Sequence, residues 1–362
     1  MLLADQGHLE SVIVGGQGRL FFTTADAVMS VRAPGAKAKV LAKVEVPGGL
    51  AFDSDGRLIV GSGNSPQNGS TGDETGPSKL FAINTRTGAK RLFAEGLSMG
   101  NGLVRGLDGT FYSSNDFGSS IDRIRGGRTQ RNWANVQSGN GLVIDPRGRY
   151  LYAAQTFVPA AISRVDTLHP ERVKTFAAGE PADAAAGLDG MARDPRGRIF
   201  VTANGAGEVW SVGTDGKICV ILDDLPPFPD GPSAVAVGRG RKGFEAGNIY
   251  VVTFDGNLIE VPGVAASRPA PGFRAPRISL AVRPRRAAAG RRTAFRFRAV
   301  IPGATPRPIS GAWIRLAGRS VRTGSDGRAE ITRRLRAGTH FGRAWAPGLR
   351  HAAVKITVPG RR

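Results

Sequence analysis

Apolar and polar residues alternate along this chain in short runs, and one composite run recurs. A small or oxygen-bearing residue comes first, then a Gly-apolar step, a strand-like stretch, a turn ending in Gly and a second strand-like stretch. The phrase reads NGLVRGLDGTFYSS at 101–114, NGLVIDPRGRYLYAA at 140–154 and DGMARDPRGRIFVTA at 189–203. Weaker copies are ESVIVGGQGRLFFTT at 10–24 and GGLAFDSDGRLIVGS at 48–62. A drifted sixth copy starts at Ser233 and runs into GNIYVVTF at 247–254. Leu142, Ile144, Leu151 and Ala153 fall on one face of such a pair, and a period of two predicts half-buried strands. Gly56, Gly109, Gly148 and Gly197 supply the positive φ that tight hairpins need. No long helical periodicity interrupts the pattern. Six copies over about 260 residues give roughly 44 residues each, the size of a four-stranded propeller blade. Radial closure also protects strand edges that an open sheet would expose. The fold class expected is all-β: a six-bladed β-propeller over 1–263 followed by a small immunoglobulin-like β-sandwich.

The second part follows from a change in pattern. VAASRPAPGFRAP at 264–276 reads as a Pro/Ala/Arg-rich linker. Beyond it, 277–362 holds six or seven short strand-like runs, enough for a small sandwich. Phe295-Arg296-Phe297-Arg298 places arginine on the solvent face of one of them.

Charge sharpens this division. The net charge is +21, with 51 Gly and 23 Pro as many short strands and turns require. Of 50 Lys and Arg, 23 lie in 267–362 with only 2 of the 29 Asp and Glu, which leaves 1–266 with 27 of each. The propeller is neutral and the sandwich carries the excess. Such a domain suits a polyanionic surface, and a solvated basic face without a dedicated partner is the alternative. No nucleic-acid fold motif accompanies it, so specific nucleic-acid recognition is not expected. No apolar run is long enough to span a membrane. The single cysteine, Cys219, is expected to be a buried small hydrophobe.

Chemistry enters with register. Eight residues before each turn glycine stand Glu10, Gly48, Asn101, Asn140 and Asp189, with Ser233 matching in the sixth copy. Equivalent positions in a propeller lie on a ring about its axis. Two carboxylates, two amides and a hydroxyl then converge, with a gap at Gly48. Converging carboxylates repel unless a cation or proton lies between them. Oxygen donors without Cys or His suit Ca²⁺, Mg²⁺ or Mn²⁺ better than a structural zinc site. The competing reading takes the Asn-Gly and Asp-Gly pairs as plain turns.

At these residues the chain resembles the senescence marker protein/gluconolactonase/luciferin-regenerating-enzyme-like family, which includes regucalcin. The resemblance spans roughly 1–262. It implies a six-bladed propeller with one divalent cation in the channel (Ca²⁺ foremost; Mg²⁺, Mn²⁺ or Zn²⁺ otherwise), held by Glu10, Asn140 and Asp189. It implies lactone hydrolysis, with Asn101 contacting substrate. The cation would polarise the lactone carbonyl, and Asp189 is the candidate general base. Blade one lacks the family's Glu-Gly-Pro, with Ser11 and Val12 there instead. Blade three reads Met99-Gly100-Asn101-Gly102 where sugar-lactone enzymes carry Arg-x-Asn-Asp. An apolar lactone or ester is therefore at least as fitting as a sugar lactone. The alternatives are a non-catalytic NHL-like binding propeller and a strictosidine-synthase-like or paraoxonase-like propeller.

Three smaller expectations complete the reading. The polar, Gly-rich NSPQNGSTGDETGPS at 64–78 reads as a lid over the channel mouth or a flexible surface insertion, with Asp73 and Glu74 solvated. His8 is expected at the surface without a partner. Only nine residues precede Glu10, so a monomer that is secreted or envelope-associated is expected, its signal peptide upstream of a mis-assigned start, with the cytoplasm as the alternative.

Overall fold

The computed structural model describes residues 1–157 and 159–360; Val158 and the last two residues of the expected sandwich, Arg361 and Arg362, lie outside it. The chain divides into two compact units, Met1–Arg105 with Phe111–Phe273, and Arg274–Arg362 with Gly106–Thr110.

The first unit is the propeller. Five four-stranded antiparallel sheets and one three-stranded sheet follow each other in chain order. Their inner strands are Val12–Val14, Pro47–Phe52, Leu103–Arg105, Gly139–Ile144, Leu188–Arg193 and Pro232–Val237. These six pack side by side and close the ring, the last against the first. In blades two to five the hairpin between the first and second strands turns on a glycine the repeat supplied: Gly56, Gly109, Gly148 and Gly197 have φ of 78°, 86°, 68° and 99°. Leu142, Ile144, Leu151 and Ala153 share one buried cluster. Blade six has only three strands, Pro232–Val237, Ile249–Thr253 and Leu258–Val261. The N-terminus completes its edge: Leu2 and Leu258 backbone N–H groups donate to Leu258 and Leu3 carbonyls at 2.8 and 3.0 Å. Joining first and last segments in one blade removes the open edge.

The segment 64–78 departs from expectation. Pro66–Thr75 is an α-helix, capped by the Ser65 hydroxyl at its start and by Gly76 at φ 64° at its end. Its glycines serve contact rather than flexibility. A Cβ on Gly72 would lie 1.9 Å from the Ser98 carbonyl oxygen, and one on Gly69 would meet Asn115, Met99 and Phe117 at 2.9 Å. Asp73, expected in solvent, fastens the helix to blade three by accepting from Asn115 Nδ2 and the Ser119 backbone N–H, both at 2.8 Å. Glu74 is exposed, as expected.

Two further expectations change. Cys219 is exposed, on Ile218–Leu222, the outermost strand of blade five. The start of the expected linker is part of the propeller: Val264 and Ala265 pack against blades five and six, and the Ala265 and Ala266 N–H groups donate to the Gly247 carbonyl and Asp194 Oδ2.

The second unit is a sandwich of two four-stranded antiparallel sheets. One pairs Ser279–Arg283, Arg292–Ile301, Arg307–Pro308 and Arg328–Arg334; the other pairs Arg319–Arg322, Trp313–Leu316, Gly338–Trp345 and Ala352–Val358. Phe295, Phe297, Ile314, Ile331 and Ile356 fill the space between them, while Arg296 and Arg298 point outward.

Candidate functional site

The column read from the repeat forms one mouth of the channel, and the backbone explains why it does. In blades two, four, five and six the inner strand bulges where the column residue stands: register shifts fall between Pro47 and Leu50, Gly139 and Leu142, Leu188 and Met191, and Pro232 and Ala234. A bulge inserts one residue and re-aims a side chain. The following glycine is required by the neighbouring blade. A Cβ on Gly49, Gly102 or Gly141 would lie 2.3, 2.2 or 2.3 Å from the carbonyl oxygen of Asn101, Asn140 or Asp189. The Asn-Gly and Asp-Gly pairs are therefore close-approach sites on the inner strands, not turns. Gly48, the gap in the column, is held to glycine by the Gly100 carbonyl, 2.2 Å from where its Cβ would stand.

Glu10, Asn101, Asn140 and Asp189 meet at the floor of a cleft of about 670 Å³. Asn101, Asn140 and Asp189 are buried. Ser233 does not join them. Its hydroxyl donates to the Leu9 carbonyl at 2.7 Å and ties the last blade to the first. His8, expected to be unpartnered, stacks on Phe254 at 4.4 Å with its Nε2 3.9 Å from Glu10 Oε2.

A carboxylate that the repeat did not show completes the floor. Asp116 is 7% exposed and accepts from Asn101 Nδ2 at 2.8 Å. It belongs to a second ring, formed within two residues of the end of the second strand in blades two to six. Asn64, Asp116, Thr156, Asn204 and Phe254 occupy that ring and all line the cleft. Reading the far end of each hairpin, seven or eight residues after the turn glycine, would have found it.

The electrostatics record the cost of this convergence. Glu10 is pushed up to about 7, first by burial and then by the Asp116 charge, against the hydrogen bond from Asn64 Nδ2 at 2.9 Å. Burial likewise pushes Asp116 up to about 6, with the Asn101 hydrogen bond opposing. Asp189 rises well above the usual carboxylate range through burial, then through Glu10 and Asp116. Buried carboxyls that raise one another retain their charge only beside a cation.

The donor set fits a hard divalent ion. Among the described residues, no three His, Cys, Asp or Glu side chains form a metal-holding group by themselves; a cation here would also draw on the amide oxygen of Asn140. Asn64 Oδ1, beside Glu10, is a buried acceptor without a partner, and a buried acceptor left unpaired is unfavourable until something positive faces it. Above the floor the walls turn apolar. Met99, Pro66, Phe117, Phe157, Phe228 and Phe254 line them, with Phe117 and Phe157 edge to face at 5.7 Å.

These features define a six-bladed β-propeller with a carboxylate-rich pocket at one channel mouth. Residues 112–254 match the family model described as the SMP-30/Gluconolactonase/LRE-like region. Two solved structures share the fold. A Xanthomonas campestris protein described as a gluconolactonase is 18% identical, with 72% of this chain and 87% of that one covered at a TM-score of 0.54. An Agrobacterium tumefaciens regucalcin, described as a calcium-binding protein, is 20% identical, with 68% and 83% covered at a TM-score of 0.52. No curated protein matches the chain by sequence.

Proposed function

We propose that the propeller is a divalent-metal-dependent hydrolase of lactones or related esters with apolar substituents. One observation carries this reading: Glu10, Asn140 and Asp189 converge on the floor of a cleft whose walls are aromatic and aliphatic. Glu10, Asn140 and Asp189 would hold the cation, which supplies the positive charge that polarises an ester carbonyl. Asp189 accepts a proton from the attacking water as its oxygen bonds to the carbonyl carbon. The ring C–O bond then breaks, and the proton passes from Asp189 to the departing alkoxide, giving the hydroxy acid. Asn101 is positioned by Asp116, which accepts from its Nδ2, and so presents its amide to substrate in one orientation. The apolar walls exclude water from the cleft and favour a substrate less polar than a sugar lactone. The helix Pro66–Thr75 contributes Pro66 to these walls and is clamped in place by Asp73.

The test is turnover of a panel of aliphatic lactones, sugar lactones and aryl esters with Ca²⁺, Mg²⁺, Mn²⁺ or EDTA, comparing wild type with Asp189→Ala. Metal-dependent hydrolysis that prefers aliphatic lactones and is lost in the variant is expected. Metal binding without turnover of any substrate would leave the propeller a binding module instead.

We propose separately that the sandwich binds a polyanionic surface, a reading that one feature supports. Arg315 and Arg343 are directly opposed across two strands, a like-charge pair that an anion relieves. Its two acids are engaged elsewhere, Asp326 with Arg328 and Glu330 with Arg296. Arg315→Ala with Arg343→Ala should elute from an anionic polymer column at lower salt.

A further inference from the structure

The channel has a second mouth, and it carries the opposite charge. Four residues beyond the column that forms the acidic mouth, each inner strand presents another equivalent position: Val14, Phe52, Arg105, Ile144, Arg193 and Val237. All six line a cleft of about 520 Å³, joined by Arg239 just past the inner strand of blade six. Between the two columns Val12, Leu50, Leu103, Leu142, Met191 and Val235 fill the channel and form the floor of this cleft. Three arginines from three different blades thus line one cavity with an apolar floor.

Arg193 feels two acids, Asp145 and Asp194, and Arg239 sets a further positive charge beside it. Asp194 is the one acid in the lining of the cleft, and it is occupied. Its Oδ1 accepts from the Arg196 and Arg198 backbone N–H groups at 2.8 and 3.0 Å, and its Oδ2 accepts from Ala266 N–H at 3.0 Å. Arg193 is held rigid by donating to the Ile144 carbonyl at 2.7 Å and the Asp194 carbonyl at 2.9 Å. Arg239 is exposed at the rim and, among the described residues, makes no side-chain hydrogen bond or ion pair. Arg193 and Arg239 lie within electrostatic reach of each other. Like charges brought together over an apolar floor attract an anion that has an apolar body.

We propose that this second mouth is a binding site for a small organic anion, an acidic head group on a short apolar chain, separate from the carboxylate-rich mouth. The head group pairs with Arg193 and Arg239, and the chain lies against Phe52, Ile144 and Val237. The probe is octanoate, titrated calorimetrically into the full-length protein carrying Asp189→Ala, in EDTA, so that no metal at the other mouth can bind it. Octanol and inorganic phosphate serve as controls. Saturable octanoate binding is expected, at least about tenfold tighter than phosphate. It should weaken about tenfold or more when Arg193→Met and Arg239→Ala are added, with the circular dichroism spectrum unchanged. Arg239→Ala alone, which removes no internal contact, should weaken it measurably. Octanoate binding that is absent, or unchanged by both substitutions, would overturn the site. Phosphate binding as tightly as octanoate, or octanol binding equally, would overturn its amphipathic character.

Discussion

The two mouths of the channel are built from the same six strands, four residues apart, and differ in almost every physical respect. At one, burial raises Glu10, Asp116 and Asp189, and neighbouring carboxylate charge raises Glu10 and Asp189 further, so they need a cation or protons to coexist. At the other, three arginines line the cleft, and burial lowers Arg193 and Arg239 from the ordinary arginine value. A propeller therefore offers two independent sites on one scaffold, because its equivalent positions form rings and each ring can diverge alone. The apolar plug between them lets each be altered without the other.

Asp189→Ala should break the comparison most severely. It removes the candidate base and a candidate ligand together, so hydrolysis should fall by about 10³-fold, measured as kcat/KM, while octanoate binding at the far mouth persists. The pH dependence of stability comes next. The folded-state values of Glu10, about 7, and Asp116, about 6, lie above their ordinary 4.5 and 3.8. Protonated carboxyls thus favour the fold. Without metal this stabilisation is complete below about pH 4 and is lost as pH rises through 7, by roughly 3 kcal/mol for Glu10. Thermal melts in EDTA should show Tm falling from pH 5 to pH 8, and added Ca²⁺ should restore it most at pH 8. A flat profile in EDTA would mean that burial does not raise these carboxyls.

Gly141→Ala tests the close approach that shapes the acidic mouth. Its Cβ would stand 2.3 Å from the Asp189 carbonyl oxygen, so a loss of about 1–3 kcal/mol is expected in denaturant unfolding. Phe228→Ala, at the 71% exposed rim of the cleft, should raise KM for an aliphatic lactone by about fivefold. Its kcat should hold. The smallest effect sharpens the contrast: Arg193→Met with Arg239→Ala should leave hydrolysis within about twofold, as distant uncoupled sites do.

Legibility in the sequence followed how local each feature is. The hairpins, their glycine turns and the column Glu10, Asn101, Asn140, Asp189 could be read because each is set by spacing within a single blade. The helix Pro66–Thr75 could not. Gly69 and Gly72 weaken it as an isolated helix, and only the surface of blade three explains their presence. Asp116 was missed because the repeat was read from one end of each hairpin and not the other. Ser233 matched the column in pattern, yet its hydroxyl is taken by the Leu9 carbonyl, a contact that exists only once the ring has closed.

The sequence by itself determined the blades, their number and which residue of each faces the axis, since alternation and positive-φ glycines act over a few residues. Tertiary structure alone decided what those positions become. It brought blade one against blade six, set Asp116 beside Asn101, pressed a glycine-bearing helix against the channel mouth and gathered arginines from three blades at the opposite end. Charge repulsion, close packing and cavity shape depend on distances across the closed ring, which no local pattern along the chain encodes.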